Sequence, residues 1–388
     1  MMRMDSTNVY KKAVGPETFI CLAAILVVFV GLGHMMGAVN MLKTTMNTAF
    51  ALLMDTCFYI MAIAVIAGAI GSLMTEFGVV ELINRILSPL MLPLYKLPGA
   101  ASLGIVTTYL SDNPAIIALA NDQEYIKYFK KHQIPALTNI GTAFGMGAIV
   151  STYMLSIQTD GAKLGLAVLV GNIGAVVGSI VSTRLMLRYS MRYYDVKNGE
   201  SASTVVNTVK ERKVRSGGAG IRTLQAMLDG GKNGVQLGLQ IVPGVLIICT
   251  LVLMLTNGCP ENGYTGAAYE GVGLLPMIGE KLGFLLKPMF GFSGAEGIAV
   301  PITALGSAGA AMGLVPGLLE SGAASAHDVA VFTSMCMCWS GYLSTHVAMM
   351  DGLGCSELTG KAIISHTIGG ICAGISSNWL FTLFSIII

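Results

Sequence analysis

The sequence predicts an all-α integral membrane protein with about seven transmembrane helices and two re-entrant helical hairpins, arranged as two inverted repeats. Three observations predict it. The chain is 54% hydrophobic and only 11% charged, where soluble domains carry about 25% charged residues. Several apolar segments reach the roughly 20 residues that a bilayer-spanning helix needs. Gly78 to Leu119 aligns without a gap over Gly273 to Leu314, at an offset of 195 residues. Identities there include Gly78/Gly273, Ile83/Ile278, Pro93/Pro288, Gly99/Gly294, Thr108/Thr303 and Leu110/Leu305. An internal repeat of interrupted apolar segments is the signature of a transporter whose site lies where the interruptions meet.

The elements follow in order. Residues 1–46 hold a basic amino-terminal segment (Arg3, Lys11, Lys12) and a first span over 18–38. That span resembles a signal peptide in its flanks. It has no A-x-A-like cleavage site and is long enough to cross, so it reads as a retained helix. Repeat 1 covers 47–187. It opens with a span at 48–74. An amphipathic stretch, Gly78–Leu97, follows, with Glu81 and Arg85 suited to the headgroup zone.

The hairpin at 98–120 breaks at Ser111-Asp112-Asn113-Pro114. Asn113 suits an N-cap with Pro114 at the first helical position. Spans at 133–157 and 163–187 complete the repeat. Gly171, Gly174 and Gly178 are spaced to line one helix face, where glycine lets backbones approach closely.

Residues 188–232 form a basic linker with Arg188, Arg192, Lys197, Lys210, Arg212, Lys213, Arg215 and Arg222. Basic short loops stay in the cytoplasm. Ile221–Leu228 reads as a short amphipathic helix on the membrane. Repeat 2 covers 233–388: a span at 234–256, an acidic loop from Asn257 to Gly271 without Lys or Arg, and an interfacial helix over Val272–Phe290. The hairpin at 293–319 breaks at Gly306-Ser307-Ala308-Gly309, where Gly306 suits a left-handed helix end. Spans at 327–350 and 360–386 close the chain. The charge pattern places the amino terminus inside, in the cytoplasmic (inner) membrane of a bacterium. Three crossings per repeat is an odd number, which inverts the second repeat.

The residues able to carry chemistry sit at the interruptions. Half-helix ends at mid-membrane leave backbone groups free and are tolerated only around a cavity or within protein. Substrate contact is therefore expected from Ser111, Asp112 and Asn113 on the first tip and Thr303 and Ser307 on the second. Asn139, Thr142, Ser344 and Thr345 join them from the interrupted strings Thr138–Thr142 and Ser340–His346. Plain helix capping and helix–helix hydrogen bonding are the competing roles for each of these residues. Asp112 and His346 are the ion-coupling candidates, since both titrate. Met335 and Cys338 share a helix face in the one soft-ligand run, but two ligands fall short of a metal site, and packing explains them as well. The eight cysteines are mostly intramembrane and form no disulfide framework.

The strings Tyr109–Ala115, Pro135–Gly145, Gly306–Ala310 and Ser340–His346 resemble the nucleoside-recognition (Gate) domains of bacterial membrane proteins. The order of parts resembles concentrative nucleoside transporters. That resemblance implies a mobile, hairpin-bearing transport unit on a scaffold of spans 48–74 and 234–256, at a homo-oligomer interface. Transporters of that type carry Gln and Glu on the first hairpin and Asn and Glu on the second. Here the tips offer Ser111, Asp112 and Asn113, and Thr303 and Ser307.

The expected function is secondary active transport of a small polar solute, a nucleoside or related organic molecule, coupled to Na⁺ or H⁺ and needing no other cofactor. Its partners are lipid and the solute. With a net charge of +2 and no basic block, nucleic acid is not among them. No Walker A, GxGxxG, HExxH or GxSxG string is present, so an enzyme is not expected. The alternatives are metal transport on the same fold and a non-transporting scaffold that holds a partner through its linker.

Overall fold

Helices joined by turns and irregular loops make up the computed structural model, which describes residues 12–113, 115–120, 123–158, 164–195 and 214–387. The side chains of Ala118, Gln123, Glu124 and Ser344 lie outside that description. So do Pro114 and the linker residues Lys197, Lys210, Arg212 and Lys213. No strand occurs among the described residues.

The first helix, α1 (Pro16–Met36), is followed by α2 (Ala38–Ala51) and α3 (Phe58–Glu76), which a π-helical turn at Leu52–Cys57 joins into one rod. The interfacial α4 (Val79–Tyr95) leads to the first hairpin, α5 (Ala101–Leu110) and α6 (Ala115–Ala120), and to a short α7 (Gln123–Ile126). Then come α8 (Ile134–Thr142), α9 (Gly147–Ser156) and the long α10 (Leu164–Tyr193). The second half starts with α11 (Ala219–Gly244), a π turn at Val245–Cys249 and α12 (Thr250–Thr256). After the 257–273 loop come α13 (Leu274–Lys281) and α14 (Gly283–Phe290). The second hairpin is α15 (Ala299–Ala304) and α16 (Ala308–Glu320). The chain ends with α17 (Ala326–Trp339), α18 (Tyr342–Gly352) and α19 (Thr359–Ile387).

Among the described residues six helical rods are long and apolar enough to cross a membrane. The expected span at 327–350 is not among them because Ser340 and Gly341 both turn left-handed and divide it into α17 and α18. The side chains of α1 are almost entirely exposed, with Phe19, Val27 and Val30 each more than 60% accessible. In water such a surface would not persist. In hydrocarbon it is the outer wall of an all-α, multi-pass membrane protein.

Glycine sets the packing where the rods meet. A Cβ on Gly68 would fall 2.5 Å from the Gly230 carbonyl oxygen, so α3 and α11 touch backbone to backbone. Gly171, Gly174 and Gly178 do line one face of α10. A Cβ would fall 2.8 Å from the Ala330 carbonyl oxygen at Gly171 and 2.8 Å from that of Ala373 at Gly174. The contact of Gly174 with Ala373 and Ser377 is matched by that of Gly369 with Gly178 and Ser182. Each member of one contact lies 195 residues from its counterpart in the other. Helices α10 and α19 therefore cross on the pseudo-twofold axis that the sequence repeat implies.

Several expectations are corrected. Helix α11 begins at Ala219 rather than near 234, so Ile221–Leu228 is its first part and not a separate surface helix. Arg222 and Arg215 anchor that end to Glu76 of α3 at 2.7 Å each. The interfacial segment at Val272–Phe290 is two helices that meet at Leu282, not one. Residues 138–142 are helical throughout, and the break in that span falls later, at Ala143–Met146. Gly306 does not adopt positive φ. Its lack of a side chain serves close approach instead, since a Cβ there would lie 3.0 Å from Ile248 Cδ1.

Candidate functional site

Four interruptions of helix are related in pairs by the repeat. The interfacial helices start after left-handed Gly78 and Gly273 and end at left-handed Lys96 and Gly291. The tips lie at Ser111–Asn113 and Leu305–Ser307. The broken spans turn at left-handed Met146 and Gly341, again 195 residues apart, each just ahead of a new helix. Local sequence does not demand this of Met146. Non-glycine residues with positive φ are uncommon and are held there by their surroundings.

The tips and breaks converge. Asn113 is fully buried, and its Nδ2 donates to the Ser340 carbonyl across the repeats at 3.0 Å. Its Oδ1 lies against Gly145, where no Cβ fits, and a Cβ at that position would also stand 3.3 Å from Ser340 Oγ. Gly341 N donates to the Ala304 carbonyl at 2.9 Å, and Leu343 N to that of Leu305 at 3.4 Å. The first tip thus touches both breaks, and the second tip touches the break of its own repeat. Asn113 is therefore not the side-chain N-cap expected of it. Its amide bridges the two halves instead.

The remaining expected residues divide. Ser111 Oγ donates to the Thr107 carbonyl at 2.6 Å, and Asp112 Oδ1 accepts the Asn113 N–H at 2.7 Å, so both stabilise the turn. Ser307 caps α16 by accepting from Ala310 N at 3.2 Å. Thr303 Oγ1 donates back to the Ala299 carbonyl at 2.8 Å, within its own helix. Thr345 bonds the Gly341 carbonyl weakly at 3.4 Å, and Thr142 faces Met349 Sδ at 3.8 Å. The side chain of Ser344 is outside the described residues.

Asn139 belongs to a buried relay that the sequence did not reveal. Its Nδ2 donates to Ser182 Oγ at 2.8 Å, and Ser182 Oγ meets His366 Nδ1 at 2.9 Å. His366 Nε2 reaches the Cys338 carbonyl. A carbonyl only accepts, so Nε2 carries a proton, and in the neutral ring Nδ1 then accepts from Ser182. The His346 ring lies 4.6 Å from that of His366 and 5.3 Å from that of Tyr342. Neither nitrogen of His346 has a hydrogen-bond partner among the described residues, although the residue is fully buried.

Met335 and Cys338 do not act together. Met335 packs in one hydrophobic cluster, while Cys338 sits in another with its Sγ 3.6 Å from the Ala175 carbonyl. No group of three His, Cys, Asp or Glu among the described residues could hold a metal ion. Sequence reasoning missed Gly145, Met146 and Ser182 as parts of the site. The offset of 195 was the available signal for Met146, because it pairs that residue with Gly341.

No family model matches the chain, and no curated protein does. Solved structures of the concentrative nucleoside transporter CNTnw do match. The inward-facing substrate-bound form superposes with a TM-score of 0.55 at 14% identity, over 94% of this chain and 86% of that one. A doubly substituted outward-facing form gives 0.53 at 13% identity, over 95% and 86%. A singly substituted form in an intermediate state gives 0.52 at 13%, over 94% and 86%. At such identities the likeness concerns the backbone, and this chain has the fold of a concentrative nucleoside transporter.

Proposed function

We propose that this protein is an ion-coupled secondary active transporter that binds a small polar solute where the two hairpin tips meet the two broken helices. The observation that supports this reading is a concentration, at that junction, of buried polar atoms without a partner among the described residues. Asn113 Oδ1 and Ser340 Oγ are among them, and both nitrogens of His346, on the helix that starts at the Gly341 break, are a further pair. Folded proteins leave few such atoms, and each costs about 1–3 kcal/mol. A solute with its own donors and acceptors would satisfy them. Discontinuous helices at a repeat interface are where secondary transporters bind substrate.

In this reading the hairpins and broken spans move against a scaffold that includes α3 and α11, in a homo-oligomer of the cytoplasmic membrane with the amino terminus inside. Na⁺ or H⁺ supplies the coupling. His346 is a histidine on the helix that starts at the Gly341 break, and Asp112 is the carboxylate on the first tip.

Thermal unfolding of the purified protein tests the proposal. Nucleosides, nucleobases, small carboxylates, organic ammonium ions and divalent metals would each be added with and without Na⁺ and at two pH values. A ligand at 100 times its Kd stabilises by about 2.7 kcal/mol. Stabilisation by one organic class, increased by Na⁺ or acid and abolished in Asp112→Asn, is the expected result. Stabilisation by metals alone, or by no compound, would remove the reading.

A further inference from the structure

A second recess lies away from the junction. A cavity of about 1090 Å³ opens at the end of the molecule that carries the 257–273 loop, and it extends between Ala299 and Gly313 on the two arms of the second hairpin. None of the tip residues lines it. Three carboxylates do: Asp55, Glu296 and Glu320, with no Lys or Arg on the wall. None of the three has an ion-pair or hydrogen-bond partner among the described residues. Three tyrosines stand among them, Tyr59, Tyr153 and Tyr269.

The positions of these groups are built in. Asp55 lies in the π turn at Leu52–Cys57, one helical turn before Tyr59. Turns of that kind recur at functional positions. The Tyr59 and Tyr153 rings meet edge to face at 6.0 Å. Tyr153 is only 3% exposed, lines the cavity, and its hydroxyl makes no hydrogen bond with any described residue. Thr56, 7% exposed, is in the same condition. Tyr269, in the loop above, has its phenol pKa pushed up first by burial and then by Asp55, Cys249 and Glu320. Two of the carboxylates therefore act on one ring.

The chemistry of the wall selects its ligand. Unpaired carboxylates in a concave, low-dielectric site concentrate cations. Aromatic faces hold ammonium groups, especially alkylated ones. No three His, Cys, Asp or Glu among the described residues lie close enough to share a bare metal ion. The volume is slightly above the roughly 300–1,000 Å³ of pockets that take organic molecules, so one has room here. We infer that this cavity binds an organic ammonium ion between the tyrosine rings and the carboxylates of Asp55, Glu296 and Glu320. Resting on the transport reading above, it further follows that the transported solute is cationic and enters through this cavity.

Isothermal titration of the full chain in detergent, with choline and its uncharged isostere 3,3-dimethyl-1-butanol, tests the site. Choline is expected to bind at least tenfold more tightly. Asp55→Asn and Glu296→Gln should each weaken choline roughly fivefold, as solvent-screened charges do, and leave the isostere unchanged. Unaltered melting of both variants shows that they fold. Equal binding of choline and its isostere overturns the proposal, as does Na⁺ filling the site in preference to choline.

Uptake of labelled choline into proteoliposomes separates this inference from the one beneath it. Binding without uptake supports the site and counts against transport. Uptake of a neutral solute that neither variant alters overturns the cationic-solute route through the cavity and leaves transport standing.

Discussion

Replacing Gly145 with alanine adds a methyl group where the two repeats close on each other. The new Cβ would land on Asn113 Oδ1 and stand 2.6 Å from Asn113 Cγ. Asn113 is fully buried and cannot swing into solvent. To make room, its amide must leave the Ser340 carbonyl, which it now meets at 3.0 Å. Overpacking of this kind costs about 1–3 kcal/mol. Orphaning a buried acceptor adds roughly 1–3 kcal/mol. Alanine returns about 0.4–1 kcal/mol by restricting the unfolded chain, because Gly145 has no positive φ to strain. The net expectation is a loss of about 1–5 kcal/mol. Gly165→Ala is the control, since nothing lies within 4 Å of its Cβ position and the same entropic gain applies without a clash. Equilibrium unfolding of the two variants in one detergent reads the difference. Equal stability would refute the claim that tip and break are tightly closed at Asn113.

Ser182→Ala removes the middle of the relay from Asn139 to His366 and leaves His366 Nδ1 without its donor. A loss of about 1–3 kcal/mol is expected, read by the same unfolding assay. The Nε2 contact with the Cys338 carbonyl remains, so the His366 nitrogen shifts should still report the Nε2–H tautomer, with Nδ1 alone changed by loss of its partner. Glu270 organises the 257–273 loop by accepting from Thr265 N, Thr265 Oγ1, Gly266 N and Thr44 Oγ1. Burial alone would raise its pKa, but these hydrogen bonds outweigh it and hold the carboxyl at about 2 against 4.5. The folded value is the depressed one, so the loop keeps this stabilisation above about pH 4.5 and loses it as the pH falls towards 2. Protease cleavage of the loop should accelerate over that window, and Glu270→Gln should flatten the profile.

Most of the fold was legible because the physics that fixes it is local or periodic. Lipid demands long apolar helices, and these can be counted. The repeat could be aligned because Gly78/Gly273 occupy equivalent left-handed turns. The break at Ser340–Gly341 was legible because small and polar residues interrupt an apolar run. Its counterpart at Ala143–Met146 was displaced from the polar Thr138–Thr142 string, since nothing about Met146 announces positive φ. The extra length of α11 was hidden because its first turns are polar, and it is the seam with α3 together with the Glu76 ion pairs that makes them helical.

The sequence by itself determined the membrane class, the repeat and the two places where helices fail, because each depends on composition or on spacing along the chain. Only the tertiary structure decided which polar groups meet. Asn113 could cap its own helix or cross to Ser340, and the choice depends on the absence of a Cβ at Gly145, far away in sequence. His366 becomes a neutral acceptor only when α8, α10 and α17 bring Asn139, Ser182 and the Cys338 carbonyl to it. The tyrosines and carboxylates of the cavity come from segments more than two hundred residues apart. Hydrogen bonds and charges act over a few ångströms of space, and sequence spacing carries no record of that distance once the chain has turned back on itself.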